Sequence, residues 1–129
     1  MYLLEKDFTM CCAHNLYDKN LSKKENEKIY GKCCSQHGHG YKITLKLQSR
    51  YLIHGMIVNF NEIKQTFKQY IDDKFDHKNL NDFKEFKTLI PTAENMAEVF
   101  YRILKPHIKS LYMVEIEETE GAKASYYEG

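Results

Sequence analysis

The segment Tyr41–Leu47 constrains this chain more than any other. Tyr41, Ile43, Leu45 and Leu47 alternate with Lys42, Thr44 and Lys46, the period-two pattern of a β-strand with one dry face and one wet face. His37 and His39 continue the parity of the apolar set, so both imidazoles leave the chain on the dry side. Two imidazoles buried without partners are costly, and a divalent metal satisfies both. The rest of the chain must therefore cover the dry face and complete the surroundings of the two histidines.

A first strand over Tyr2–Cys12 places Phe8, Met10 and Cys12 on one parity and ends at Ala13-His14. If it neighbours the histidine strand, His14 becomes the natural third ligand, and three imidazoles with an open position form the catalytic kind of zinc site, able to polarise a bound oxygen. An isolated H-x-H pair fits a hydrogen-bonded core pair equally well. A structural site from Cys33, Cys34, His37 and His39 is the rival metal reading, and it is the poorer one, because vicinal cysteines chelate one ion badly.

Asn15–Lys32 reads as a long polar loop with a short helical turn near Glu25–Ile29. His54-Gly55 marks a turn and Met56–Phe60 a short return strand. Asn59 or Asn61 caps a helix carrying Ile63, Phe67, Tyr70 and Ile71 on one face and ending around Lys74. Asp76–Asn81 is loop-like. Thr92 is the N-cap of a second helix with Met96, Val99, Phe100, Ile103 and Leu104 on its apolar face, stopped by Pro106. A strand alternates Tyr112, Val114 and Ile116 with Met113, Glu115 and Glu117, Gly121 turns the chain, and a last strand lies near Ser125–Tyr127. The expected fold is α+β: an antiparallel sheet covered on one face by two amphipathic helices, in one domain spanning residues 1–129.

Composition narrows the function classes. Lys plus Arg number 19 against 18 Asp plus Glu, a net charge of +1, which leaves no basic footprint for nucleic acid. No apolar run approaches the roughly 18 residues of a membrane span. Met1–Lys6 is neither basic nor followed by a signal-peptide core, so a cytoplasmic location is expected. The four cysteines form two vicinal pairs, a poor disulfide framework.

Cys33 precedes the histidine strand beside Lys32 and a possible cation, surroundings that activate a thiol as base or nucleophile. Cys11, Cys12 and Cys34 read as small buried apolar residues. Asp76-His77 is a carboxylate next to an imidazole, which becomes interesting if the fold carries it to Cys33 and is otherwise a turn with a solvated histidine. Glu118 follows the inward parity of the Tyr112 strand. It is either a buried carboxylate that demands a partner with paired N–H donors or a strand-end residue bending out to water. Thr92 and Glu94 suit helix capping, and His54 and His107 read as surface residues.

Taken together, the ordered stretches Cys12-Ala13-His14-Asn15-Leu16, Leu21-Ser22 through Glu25-Asn26 to Tyr30-Gly31-Lys32-Cys33, His37-Gly38-His39-Gly40-Tyr41, Gly55-Met56-Ile57-Val58, Asp76-His77-Lys78-Asn79-Leu80, Pro91-Thr92-Ala93-Glu94-Asn95, and Glu118-Thr119 with Tyr126 resemble the 6-pyruvoyl tetrahydropterin synthase and 6-carboxytetrahydropterin synthase family along almost the whole chain. The resemblance implies a tunnelling fold: a four-stranded antiparallel sheet with two helices, three subunits closing a barrel and two trimers stacking into a homo-hexamer. It implies Zn2+ on His14, His37 and His39, proton transfer by Cys33 with Asp76 and His77, and a pterin ring held by Glu118 with Thr92 and Glu94 nearby. The implied substrate is 7,8-dihydroneopterin triphosphate. The three-residue gap between Cys33 and His37 resembles the bacterial carboxy-forming lyases of queuosine and deazaguanine synthesis, which release acetaldehyde and triphosphate. The Leu21–Cys33 and Asp76–Leu80 stretches resemble the pyruvoyl-forming branch. Gly40 and Ala93 depart from residues common in the family. The expectation favours the carboxy-forming lyase, with 6-pyruvoyl tetrahydropterin synthase or a non-catalytic zinc- and pterin-binding protein as alternatives.

Overall fold

The computed structural model describes residues 1–129. Four strands, β1 (Tyr2–His14), β2 (His37–Ser49), β3 (Leu111–Thr119) and β4 (Ala122–Tyr126), form one antiparallel sheet in the order β1-β2-β3-β4. Both histidine-bearing strands are longer than their apolar alternation alone suggests, since β1 runs through His14 and β2 begins at His37. Their register sets Met10 opposite Tyr41, Cys12 opposite His39 and His14 opposite His37. The neighbour relation on which the third ligand depended therefore exists.

The dry face of the sheet, with Met10, Cys12, Tyr41, Ile43, Leu45, Leu47, Val114 and Ile116, is buried against the helices in one continuous core. The first covering helix is α2 (Phe60–Phe67), which passes through a π-helical stretch, Lys68–Asp72, into a last turn, α3 (Asp73–Phe75). Its buried residues Ile63, Phe67, Ile71 and Phe75 recur every four positions. In a straight α-helix that spacing runs ahead of the 3.6-residue turn by about 40° per step. The wider π winding takes up the drift, so all four stay on the sheet, with Phe67 stacked on Phe8 at 4.0 Å between ring centroids. After a single turn, α4 (Glu85–Thr88), comes α5 (Ala93–Leu104), which buries Met96, Ala97, Val99, Phe100, Tyr101 and Leu104. Thr92 is its N-cap, accepting from the Asn95 N–H, as the sequence predicts.

Three expectations need correction. The long polar segment after β1 is not mainly loop: it contains α1 (Lys23–Tyr30), opened by a reciprocal capping box in which Ser22 Oγ accepts from Glu25 N–H and the Glu25 carboxylate accepts from Ser22 N–H. Such a pattern starts a helix even where apolar periodicity is weak. Met56–Phe60 is not a strand. Ile53 and Met56 make an isolated bridge across the turn formed by His54 (φ 52°) and Gly55 (φ 78°), and Asn59 caps α2. Because β2 is already flanked by β1 and β3, no sheet edge is left beside it for a return strand. Finally, Tyr112 does not share the inward row of Val114 and Ile116. The register shifts as Lys46 pairs with Met113 and Leu47 with Leu111, and this bulge buries Leu111 at 1% exposure and leaves Tyr112 half-buried.

No helix is long and apolar enough to cross a membrane.

Candidate functional site

At the His14 end of the sheet the three histidines converge. Their candidate ligand atoms lie within 4.8 Å of one another, and the rings meet edge to face at centroid distances of 4.5, 5.0 and 5.1 Å. The surrounding backbone selects their tautomers. His14 Nδ1 lies 2.7 Å from the Pro91 carbonyl oxygen and His37 Nδ1 lies 2.7 Å from that of Ser35. A carbonyl only accepts, so both Nδ1 atoms carry the proton and both Nε2 atoms carry the lone pair. A carbonyl on the remote nitrogen is the usual support of a metal-ligating imidazole. Burial lowers the pKa of His14, only partly offset by its bond to Pro91, so its ring is held neutral, the form that binds a metal.

His39 supplies an independent indication. Its Nε2 is buried without a hydrogen-bond partner, and its nearest charged neighbour, Glu118 Oε1, stands 3.5 Å away. An orphaned nitrogen beside two unprotonated imidazole nitrogens fits a divalent cation, and the all-imidazole donor set suits zinc. Tyr41, next in the same row of β2, lies beneath the triad with its hydroxyl 3.3 and 3.4 Å from the two ring nitrogens of His14. Its parity with His37 and His39 was the signal for this contact, although only a packing role was read from it.

Four of the other candidates line two openings beside the triad. Thr92, Glu94 and Glu118 line one cleft of 330 Å³ with Leu16 and three β4 residues, Ala122, Lys123 and Ala124. Glu118 therefore faces both the cleft and His39. His77 lines the other, a shallow opening of 490 Å³ bordered by Cys11, His39 and Lys78, and Asp76 precedes it in the chain. They are fastened along the outer edge of β1. Asp76 Oδ1 accepts from Cys11 N–H at 3.0 Å, His77 N–H donates to the Cys11 carbonyl at 2.7 Å, and Ala13 N–H donates to the Lys78 carbonyl at 3.0 Å. His77 has φ 61°, a left-handed conformation uncommon outside glycine, and its side chain is 78% exposed and 3.5 Å from Asp76.

Cys33 occupies a 3₁₀ turn, Gly31–Cys34, held where its carbonyl accepts from Leu16 N–H at 2.7 Å. No hydrogen bond or ion pair joins it to Asp76 or His77 within the protomer: the dyad grips β1 at Cys11, whereas Cys33 sits beyond the strand end. Among the other cysteines the expectation of burial fails for Cys11, which is exposed, and is met only in part by Cys34, which is half-buried. Cys12 is buried, donates to the Phe75 carbonyl at 3.1 Å, and has its thiol pushed up to about 12, chiefly by burial. His54 and His107 are exposed, and His107 stacks on Tyr70.

Sequence reasoning missed the asparagines. Asn26 is completely buried. Its Oδ1 accepts from Asp18 N–H, and its Nδ2 donates to the carbonyls of Asp18, Leu21 and Ser22. The Cys34 thiol in turn donates to the Asn26 carbonyl. Asn15 and Asn81 clasp each other reciprocally, Asn15 N–H to Asn81 Oδ1 and Asn81 Nδ2 to the Asn15 carbonyl. They tie the residue after His14 to the segment after His77. The Ser22-x-x-Glu25 pattern was the only forewarning of the first cluster, and the second had none.

A histidine triad at the head of an open antiparallel sheet, with a carboxylate-bearing cleft against one of its rings, defines a class of small α+β proteins built around a candidate metal centre. The particular family follows from sequence comparison: a profile of the 6-pyruvoyl tetrahydropterin synthase family matches residues 3–129, and the chain belongs to that family. A 6-pyruvoyl tetrahydrobiopterin synthase of Dictyostelium discoideum is 42% identical over 111 residues, covering 84% of this chain and 82% of the relative. A 6-carboxy-5,6,7,8-tetrahydropterin synthase of Synechocystis is 26% identical over 133 residues, covering 98% and 94%. The solved structure of 6-pyruvoyl tetrahydropterin synthase from Caenorhabditis elegans superposes with a TM-score of 0.92 at 32% identity, covering 99% of this chain and 96% of that one.

Proposed function

We propose that this chain is a zinc-dependent 6-pyruvoyl tetrahydropterin synthase, a lyase that eliminates triphosphate from 7,8-dihydroneopterin triphosphate. The observation that carries the reading is the position of Glu118, 3.5 Å from His39 of the triad and in the wall of the cleft it shares with Thr92 and Glu94. One carboxylate there can accept paired N–H bonds from an aminopyrimidine ring while the substituent of that ring reaches the histidines. The preference for the pyruvoyl product over the carboxy product expected from the Cys33–His37 gap rests on the 42% identity to the Dictyostelium protein against 26% to the Synechocystis one.

In this reading His14, His37 and His39 hold the zinc, which when bound supplies Lewis acidity toward the oxygens of the substrate side chain. Cys33, as thiolate, takes the proton from the side-chain carbon, and His77, oriented by Asp76, takes or returns a second proton. The first hydroxyl carbon of the side chain is oxidised to a ketone as the C=N bond of the dihydropyrazine ring is reduced, and the second is oxidised to a ketone as the terminal carbon, on losing triphosphate, is reduced to a methyl group, so no external redox partner is needed. Glu118 and Thr92 orient the ring, with Glu94 at the rim of the cleft.

Cys33 and the Asp76–His77 dyad are separate in one protomer, and β4 and the part of β1 before Cys11 are open edges of the sheet. These two features support a homo-oligomer, three sheets closing a barrel and two such trimers forming a hexamer, in which a neighbouring copy brings the dyad to Cys33.

The test is product analysis with purified protein and 7,8-dihydroneopterin triphosphate. Pyruvoyl tetrahydropterin and triphosphate without acetaldehyde is the expected result. Acetaldehyde with 6-carboxytetrahydropterin would establish the carboxy-forming reading, which the three-residue spacing of Cys33 and His37 favours. Pterin binding without turnover would make the protein a non-catalytic binder. Cys33→Ala should abolish turnover and leave zinc bound.

A further inference from the structure

The bond from His14 to the Pro91 carbonyl depends on a turn that a neighbouring side chain closes. The Ile90 carbonyl accepts twice, from Thr92 N–H at 2.7 Å and from Asn95 Nδ2 at 2.8 Å. Thr92 Oγ1 accepts from Asn95 N–H at 3.2 Å as the N-cap of α5. Proline fixes φ at the centre of this turn, and with the oxygen of Ile90 engaged on both sides the carbonyl of buried Pro91 is left aimed at His14 Nδ1. His14 is itself completely buried, so water does not replace that carbonyl when it moves, and the nearby Tyr41 hydroxyl, 3.3 Å from Nδ1 and 3.4 Å from Nε2, does not by itself select a tautomer.

From this geometry we infer that Asn95 is a positioning residue for the metal centre: its side-chain amide holds the Ile90–Thr92 turn so that Pro91 fixes His14 in the Nδ1–H tautomer with Nε2 presented to the cation. The inference rests on the zinc reading of the triad for its functional meaning, and on hydrogen-bond geometry alone for its structural content. Asn95 acts through Pro91 and touches neither cation nor substrate. The same turn carries Thr92 and Glu94 into the cleft, so one amide aligns a ligand of the triad and two lining residues of the cleft.

Two variants separate this role from a contribution to helix stability. Asn95→Ala removes the whole amide. Asn95→Asp keeps size and places a negative charge in the first turn of α5, where the helix dipole favours it, yet it cannot donate to Ile90. Two readouts apply: zinc affinity by competition with a chromophoric chelator, and the His14 tautomer by nitrogen-15 NMR of the metal-free imidazole. Both variants should bind zinc about 10-fold or more weakly, the range for loss of an outer partner of a ligand, and His14 should become a mixture of tautomers. A wild-type dissociation constant in both variants, or a lowered Tm with affinity and tautomer unchanged, overturns the inference. Failure of the wild-type protein to bind zinc would refute the metal reading instead, and the tautomer readout on metal-free protein then decides the role of Asn95 by itself.

Discussion

Replacing Asn26 by alanine is expected to unfold this protein more readily than most core truncations, although the residue is polar and lies at the start of no catalytic motif. The side chain is completely buried and is tied to the backbone at Asp18, Leu21 and Ser22 over distances of 2.7 to 3.3 Å. An amide has two N–H donors, so the three donated contacts amount to about two full bonds, which with the accepted one makes about three, each worth roughly 1 kcal/mol net. Asp18 N–H then loses its acceptor and adds roughly 1 to 3 kcal/mol wherever water cannot replace it. The sum, about 4 to 6 kcal/mol, is a large part of the stability of a single domain and corresponds to a Tm lowered by roughly 15 to 25 °C at this chain length. Urea denaturation followed by circular dichroism measures it directly. A loss of unfolding free energy below about 1 kcal/mol would refute the reasoning, because it would show that Asp18–Ser22 and α1 fold independently of the sheet. The consequence for activity follows from the same bonds, since Leu16 and Cys34 hold the Cys33 turn against this segment.

His37→Ala should abolish stoichiometric zinc binding, seen by metal analysis after dialysis, with little loss of fold because its side chain is only half-buried. Metal-free protein should lose stability as the pH falls below about 6.5, the ordinary histidine value. The lowered pKa of His14 means that the unfolded chain binds a proton there and the native one does not, so stability rises with pH through that window; Tm against pH on chelator-treated protein checks it. Alkylation at pH 8 followed by mass spectrometry should label Cys11 readily and Cys12 last, because one thiol is exposed and the other is buried with a pKa near 12. The same Cys12 shift removes stability above pH 9, where the unfolded thiol ionises and the native one does not. Phe67→Ala should cost about 3 to 5 kcal/mol, for it is buried and stacked on Phe8.

The parts of the fold written in side-chain periodicity were legible. Tyr41–Leu47, Ile63–Ile71 and Met96–Leu104 bury the residues that their spacing selects, apart from half-exposed Tyr70 and Ile103, and the parity running from His37 to Tyr41 led to the triad. What periodicity does not encode was missed. The Met56–Phe60 segment looks like a strand in isolation, and only the topology removes the edge it would need. The bulge that exchanges Tyr112 for Leu111 is a property of two strands meeting, with no trace in either alone. Pro91 and Ser35 orient the histidines through main-chain oxygens, which every residue carries, so no sequence pattern distinguishes them. Asn26, Asn81 and Asn95 act by bonding to backbone brought close by the fold, and an asparagine in a polar stretch reads first as solvent-exposed.

The π stretch Lys68–Asp72 lets four apolar residues spaced by four keep one face, and it also fixes the phase at which the chain leaves the helix at Asp76. Deleting one residue from it would let ordinary α-helical bonding resume, yet every position beyond would turn by about 100° and shift along the axis. Asp76 would leave the Cys11 N–H and His77 would leave the edge of β1. The direction in which this dyad leaves the edge of β1 is thus written as a count of residues in a helix whose core contacts neither member shares, so insertions and deletions there should be selected against more strongly than substitutions.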